Sequence, residues 1–225
     1  MSALDPRLLL LLLLLAACGG DGDDPGEGTG TLRVEAIGTI APDFTDVAVR
    51  VSTRGGVPTR EAVVRVTDVA RDATVDAPAS TVPGLFLGRL DGAVPYFRVE
   101  VRAGEDRLEG AVDGPRAFEL TRPPAGALVV RDGADRLLLT WTRPESEPMD
   151  AVELSVVDPE TGLVVRSSVV DGDPGEGRVP LPVVDGTTPL RASVLRVDRV
   201  ELAGGREGST LEAARSASVD FDLSP

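Results

Sequence analysis

Apolar and polar side chains alternate with a period of two along most of this 225-residue chain, the pattern of strands that bury one face and wet the other. Leu32, Val34 and Ala36 alternate with Arg33 and Glu35, and Val47, Val49 and Val51 with Ala48, Arg50 and Ser52. Ala62, Val64 and Val66 share a face beyond the turn Arg54-Gly55-Gly56-Val57-Pro58, and Leu85-Phe86-Leu87 opens another strand. Phe97, Val99 and Val101 point one way while Arg98, Glu100 and Arg102 point the other; Ala103–Asp106 turns the chain into Arg107–Val112, and Phe118–Leu120 closes the set. Asp68–Pro83 reads as connection with room for one edge strand. Short strands with turn signals at regular intervals predict an antiparallel, immunoglobulin-like β-sandwich over 31–122.

A second alternating set follows the proline-stiffened boundary Thr121–Gly126. Leu137, Leu139 and Trp141 line one face, so the tryptophan is expected in a core beside Leu139 and Val194 rather than exposed as a ligand anchor. Val152, Leu154 and Val156 form the next strand, and Asp158–Gly162 is a hairpin turn leading into Leu163–Val170. Prolines 180 and 182 confine Val179–Val184 to an edge. Leu190–Leu202 and Leu211–Leu223 predict a long terminal hairpin around Ala203-Gly204-Gly205, with a short helix from Ser209 as the local rival through its capping-box pattern. The fold class expected is all-β: two tandem antiparallel sandwiches, the second spanning 123–225.

The first thirty residues break the alternation. Leu8–Leu15 are eight consecutive leucines, followed by Ala16, Ala17 and the single cysteine, Cys18. As a helix the ten apolar residues span about 15 Å, too short for a bilayer core and right for the apolar region of a signal peptide, with Arg7 as its basic flank. Gly19–Gly30 then holds six glycines, one proline, four acids and no apolar side chain, a composition that makes a flexible acidic tether. Asp21, Asp23 and Asp24 do not make a calcium loop, because the twelfth position is Leu32.

Leu15-Ala16-Ala17-Cys18 resembles the lipobox of bacterial lipoproteins. That resemblance implies a signal peptide over 1–17, cleavage before Cys18, acylation of Cys18, and a lipidated cysteine with linker over 18–30. It also implies a cell-envelope location, with Gly19 pointing to the outer membrane. The second half is similar to a fibronectin type III domain: Pro124, Leu128-Val129-Val130 and Leu137–Pro144 match its first two strands and its core tryptophan, Trp141. It departs from that family at Leu190, where a tyrosine is the rule, and no tyrosine follows Trp141.

Composition narrows the chemistry. A net charge of −14 with 3% aromatic residues repels phosphate and offers little to stack on bases, so no nucleic-acid partner is expected. All basic residues are arginine, and histidine and lysine are absent. Serine–histidine and serine–lysine catalysis are therefore excluded, as is a clustered zinc site. Neither cofactor nor metal is expected. Asp171–Glu176 is the best remaining calcium candidate, but Pro182 stands at its twelfth position. The expectation is a non-catalytic binding or adhesion module, held to the membrane by the lipid on Cys18 and meeting a protein or glycan through loops such as Asp68–Pro83 and Asp171–Gly177. A structural or assembly accessory working by strand addition is the alternative, and a carboxylate-based hydrolase a remote one.

Overall fold

The computed structural model describes residues 30–131, 133, 135–143 and 149–225. Its described elements are all strands. The first core lies between β1 (Leu32–Ile40), β2 (Phe44–Thr53) and β5 (Leu85–Asp91) on one side and β4 (Ala73–Ala77), β3 (Val63–Asp68), β6 (Tyr96–Ala103) and β7 (Asp106–Asp113) on the other. Val34, Val49, Val51 and Phe86 meet Val66, Phe97, Val99, Val101 and Leu108 there, all nearly or fully buried. Gly38 makes room for the Phe97 ring, which a Cβ at that position would overlap.

The second core lies between the three-stranded sheet β13 (Glu176–Pro180), β10 (Arg136–Trp141), β8 (Leu120–Arg122) and the strands β12 (Val164–Asp171), β11 (Ala151–Val157), β14 (Thr188–Glu201) and β15 (Thr210–Ser224). Trp141 is 5% exposed and shares this cluster with Leu139 and Val194, as its place in the alternation requires. The short β9 (Ala127–Val130) runs parallel to the end of β15.

The two cores share one sheet. Its strand order, β12-β11-β14-β15-β1-β2-β5, runs without a break from the second core into the first. The joint is the terminal hairpin, whose strands of 14 and 15 residues are more than twice the usual length of about 5–6. One sandwich cannot cover strands that long. The base of the hairpin, with Leu190, Val194, Phe221 and Leu223, belongs to the second core. Its far end supplies Leu202, Leu211 and Ala213 to the first, where Glu35–Thr39 of β1 pairs in parallel with Thr210–Ala214 of β15. Ser209 is buried there and accepts a hydrogen bond from the Val34 amide at 3.2 Å; the chain continues as strand, not as the rival helix. At the tip Gly204 adopts φ +79° against the Arg107 carbonyl, where a side chain would clash.

Candidate functional site

Asp171–Gly177, which the sequence offers as a solvated recognition loop, is fastened to the core by its own acid. The Trp141 indole Nε1 donates to Asp173 Oδ1 at 2.7 Å, the Gly175 amide donates to the same oxygen at 3.3 Å, and Arg143 Nη1 donates to the Asp173 carbonyl at 2.8 Å. The other carboxylate oxygen lies 2.7 Å from Arg196 Nη2, with the two side chains 3% and 0% exposed. This contact is an ion pair rather than an aligned hydrogen bond. The Arg196 guanidinium also sits 5.3 Å from the centroid of Phe118, a favourable cation–π distance. Asp173 thus spends its charge inward, and among the described residues no group of three acids, histidines or cysteines could hold a metal.

The sequence reading missed Arg196. Leu190, Ala192 and Val194 occupy alternate inward positions of β14, so the next inward position, two residues on, was the signal that an arginine would be buried.

Asp68–Pro83 is likewise laced to the framework. Its middle is β4; Asp68 Oδ1 accepts the Ala70 and Arg71 amides at 3.0 and 3.1 Å, and Pro78 and Ser80 bond to β5 through Leu87 N and Leu85 O. Cys18 lies outside the described residues.

The sheet edges differ more than the loops. The outer edge of β5 is covered by that Pro78–Ser80 segment, and the edge of β7 by the hairpin tip, where Glu109 and Ala203 exchange amide and carbonyl bonds. β13 carries Pro180; β8, β9 and β4 have only three, four and five residues. β12 has eight residues, ends the long sheet, and pairs on one side only among the described residues. Its approach is apolar: Leu163 and Val169 are 58% and 63% exposed, and Val164 also faces water. A bulge at Val165 breaks its register with β11, leaving Arg166–Asp171 regular. Such an edge presents unpaired amides and carbonyls to any extended chain.

Behind it the outward row runs Val169, Glu153, Leu195 and Ser216 across four strands. Although Glu153 stands on the exposed face, partial desolvation by its neighbours, and secondarily the carboxylate of Glu212, hold its carboxyl above the ordinary glutamate range. Glu212 is itself fixed by Arg199 Nε at 2.7 Å. A raised acid favours the fold most when protonated. Its contribution is fully present below the unfolded glutamate range and is lost as pH rises through the folded value. Glu153→Gln is therefore expected to melt higher than the parent at neutral pH and level with it in acid; identical melting differences at both pH values would contradict this.

No protein-family model matches the chain, and no curated protein matches it. Similar solved structures include the fibronectin(III)-like modules of CbhA from Clostridium thermocellum, at 16% identity and a TM-score of 0.29, covering 85% of this chain and 93% of that one. A two-domain fibronectin type III segment of chicken tenascin has 12% identity and a TM-score of 0.28, covering 87% and 98%. The adhesin InvE of Yersinia pseudotuberculosis has 12% identity and a TM-score of 0.27, covering 87% of this chain and 61% of its own.

Proposed function

We propose that this chain is an envelope lipoprotein, anchored through acylated Cys18, that acts by contact rather than catalysis and receives an extended polypeptide segment along the outer edge of β12. The supporting observation is the contrast between that edge and the others: eight residues long, apolar in approach, and paired on one side only among the described residues. Strand addition takes its affinity from main-chain hydrogen bonds and its selectivity from alternate side chains. The outward-facing Ser167, Val169 and Asp171 supply a donor, an apolar contact and a carboxylate. The lipobox resemblance supports the anchor, and the acidic tether Gly19–Gly30 gives a reach of roughly 20 Å above the headgroups.

A second reading, adhesion through loops, draws on Val57 and Val82, which are 61% and 49% exposed. Their two loops abut, since a Cβ on Gly84 would lie 2.7 Å from the Pro58 side chain.

Proximity labelling in living cells separates the two. Val169→Lys places a charge on the edge without touching a core, and is expected to lose the neighbours that the parent chain marks, while Val57→Ser keeps them. The same cells are expected to yield a mature amino terminus at acylated Cys18 by mass spectrometry. Unchanged neighbours in Val169→Lys, with the fold intact, would overturn the edge reading.

A further inference from the structure

We infer that the segment received by β12 is the β12 of a second copy of this chain, paired antiparallel about a twofold axis at Val169. The inference rests on the edge reading and adds the identity of the partner.

A twofold axis perpendicular to a sheet keeps each residue on its own face, so residues opposite one another must be an even number apart. Only a few registers satisfy this within β12. An axis at Ser167 would pair Val169 and Val170 with Val165 and Val164, where the bulge at Val165 breaks the ladder. An axis at Ser168 would set the Arg166 guanidinium against Val170 of the partner copy. An axis at Val169 uses the regular stretch alone. Val169, 63% exposed in the isolated chain, meets its own copy. Ser167 stands opposite Asp171 twice over, a hydroxyl donor to a carboxylate. Arg166 falls beside Gly172, just past the end of β12, where φ is +67° and nothing lies within 4 Å of the place a Cβ would take, so the ladder ends at the Ser167–Asp171 pairs and the arginine has room. No like charges are opposed in this register, and such cross-strand matches are what set register in a sheet.

A pair of strands this short buries less than the roughly 1,200–2,000 Å² of a stable complex in solution. The pairing therefore belongs to copies concentrated on one surface, where effective concentrations approach the mM range. Each copy carries a net charge of −14, so long-range repulsion opposes approach and added salt relieves it. Self-association that strengthens with salt is the signature, opposite to that of a basic partner.

The test uses full-length lipidated protein in vesicles, with the parent chain, whose single cysteine is Cys18, setting the background. Directly opposed residues have Cα atoms about 4.5–5.5 Å apart, within disulfide range. Under mild oxidation Ser167→Cys mixed with Asp171→Cys is expected to cross-link about tenfold faster than either variant alone, because proximity replaces diffusion. Val169→Cys is expected to cross-link with itself, and Ser218→Cys, exposed three strands away on the same sheet, to stay at background. The Ser167/Asp171 rate is expected to rise as salt goes from about 50 to 300 mM. Equal rates for the mixed and single variants would overturn the inference. If cross-linking fails while Val169→Lys still loses its neighbours in cells, the edge reading stands and the second copy is wrong; if both fail, the edge reading falls as well.

Discussion

Asp173→Ala is expected to lower stability by about 3–5 kcal/mol, the cost of removing one partner from a buried ion pair. Arg196, fully buried in the second core, then keeps its charge with its carboxylate gone. The Trp141 indole loses its acceptor and the Gly175 amide one of its own, so the loop above the core is released together with the charge. Ion pairs at the surface do not behave this way. Arg65–Asp76, at 3.3 Å with side chains 50% and 79% exposed, is worth about 0–1 kcal/mol. Replacing the buried pair together, with Asp173→Leu and Arg196→Met, is expected to recover most of the loss, because an apolar pair pays no desolvation. Urea unfolding followed by the single tryptophan measures both. A cost below about 1 kcal/mol for Asp173→Ala would show that the cluster is better solvated than its geometry indicates.

The second large effect concerns the chain cut after Arg122, which is expected not to fold. Such a fragment contains every strand of the first sandwich except the one that pairs in parallel with β1, and it lacks Leu202, Leu211 and Ala213 from the core. Burying two leucines is worth about 3–6 kcal/mol, against a total stability of about 5–15 kcal/mol for a domain. The loss also uncovers the edge of β7 and leaves Val34 N without the Ser209 hydroxyl. Either change alone is tolerable; together they leave a sheet with an open side and a hole in its centre.

Much of this fold was legible in the sequence. Period-two alternation located most strands of both cores and put Trp141 inside, because side chains on a pleated strand have only two directions to choose between. Phe118–Leu120, expected to close the first set, instead belongs to the second, where Leu120 is buried and β8 pairs with β10. Alternation says which face is buried, however, and not against which sheet. The hairpin around Ala203-Gly204-Gly205 was visible, but its division between two cores was not: Ala36 and Leu211 pair in space across 175 positions of sequence. Strand length was the available signal, since 14 and 15 residues exceed what one sandwich can cover. The same limit hid the Asp173–Arg196 pair. A turn rich in Asp and Gly reads as solvated until the strand beneath it is seen to carry an inward arginine. Leu163–Val170 reads as a strand, but its standing at the end of an eight-stranded sheet, paired on one side only among the described residues, follows from topology alone. Cys18, the residue with the clearest chemical motif, lies outside the described residues, and its lipidation stands on that motif.

The end of the last hairpin is a structural part of the first core, and fragment complementation tests this most directly. An isotope-labelled fragment ending at Arg122 is titrated with a synthetic peptide carrying residues Asp198–Arg215, and its amide spectrum is recorded. The predicted result is a collapsed spectrum for the fragment alone that becomes dispersed on adding the peptide, with protected amides along β1. A dispersed spectrum without the peptide, or one the peptide leaves collapsed, would contradict the account.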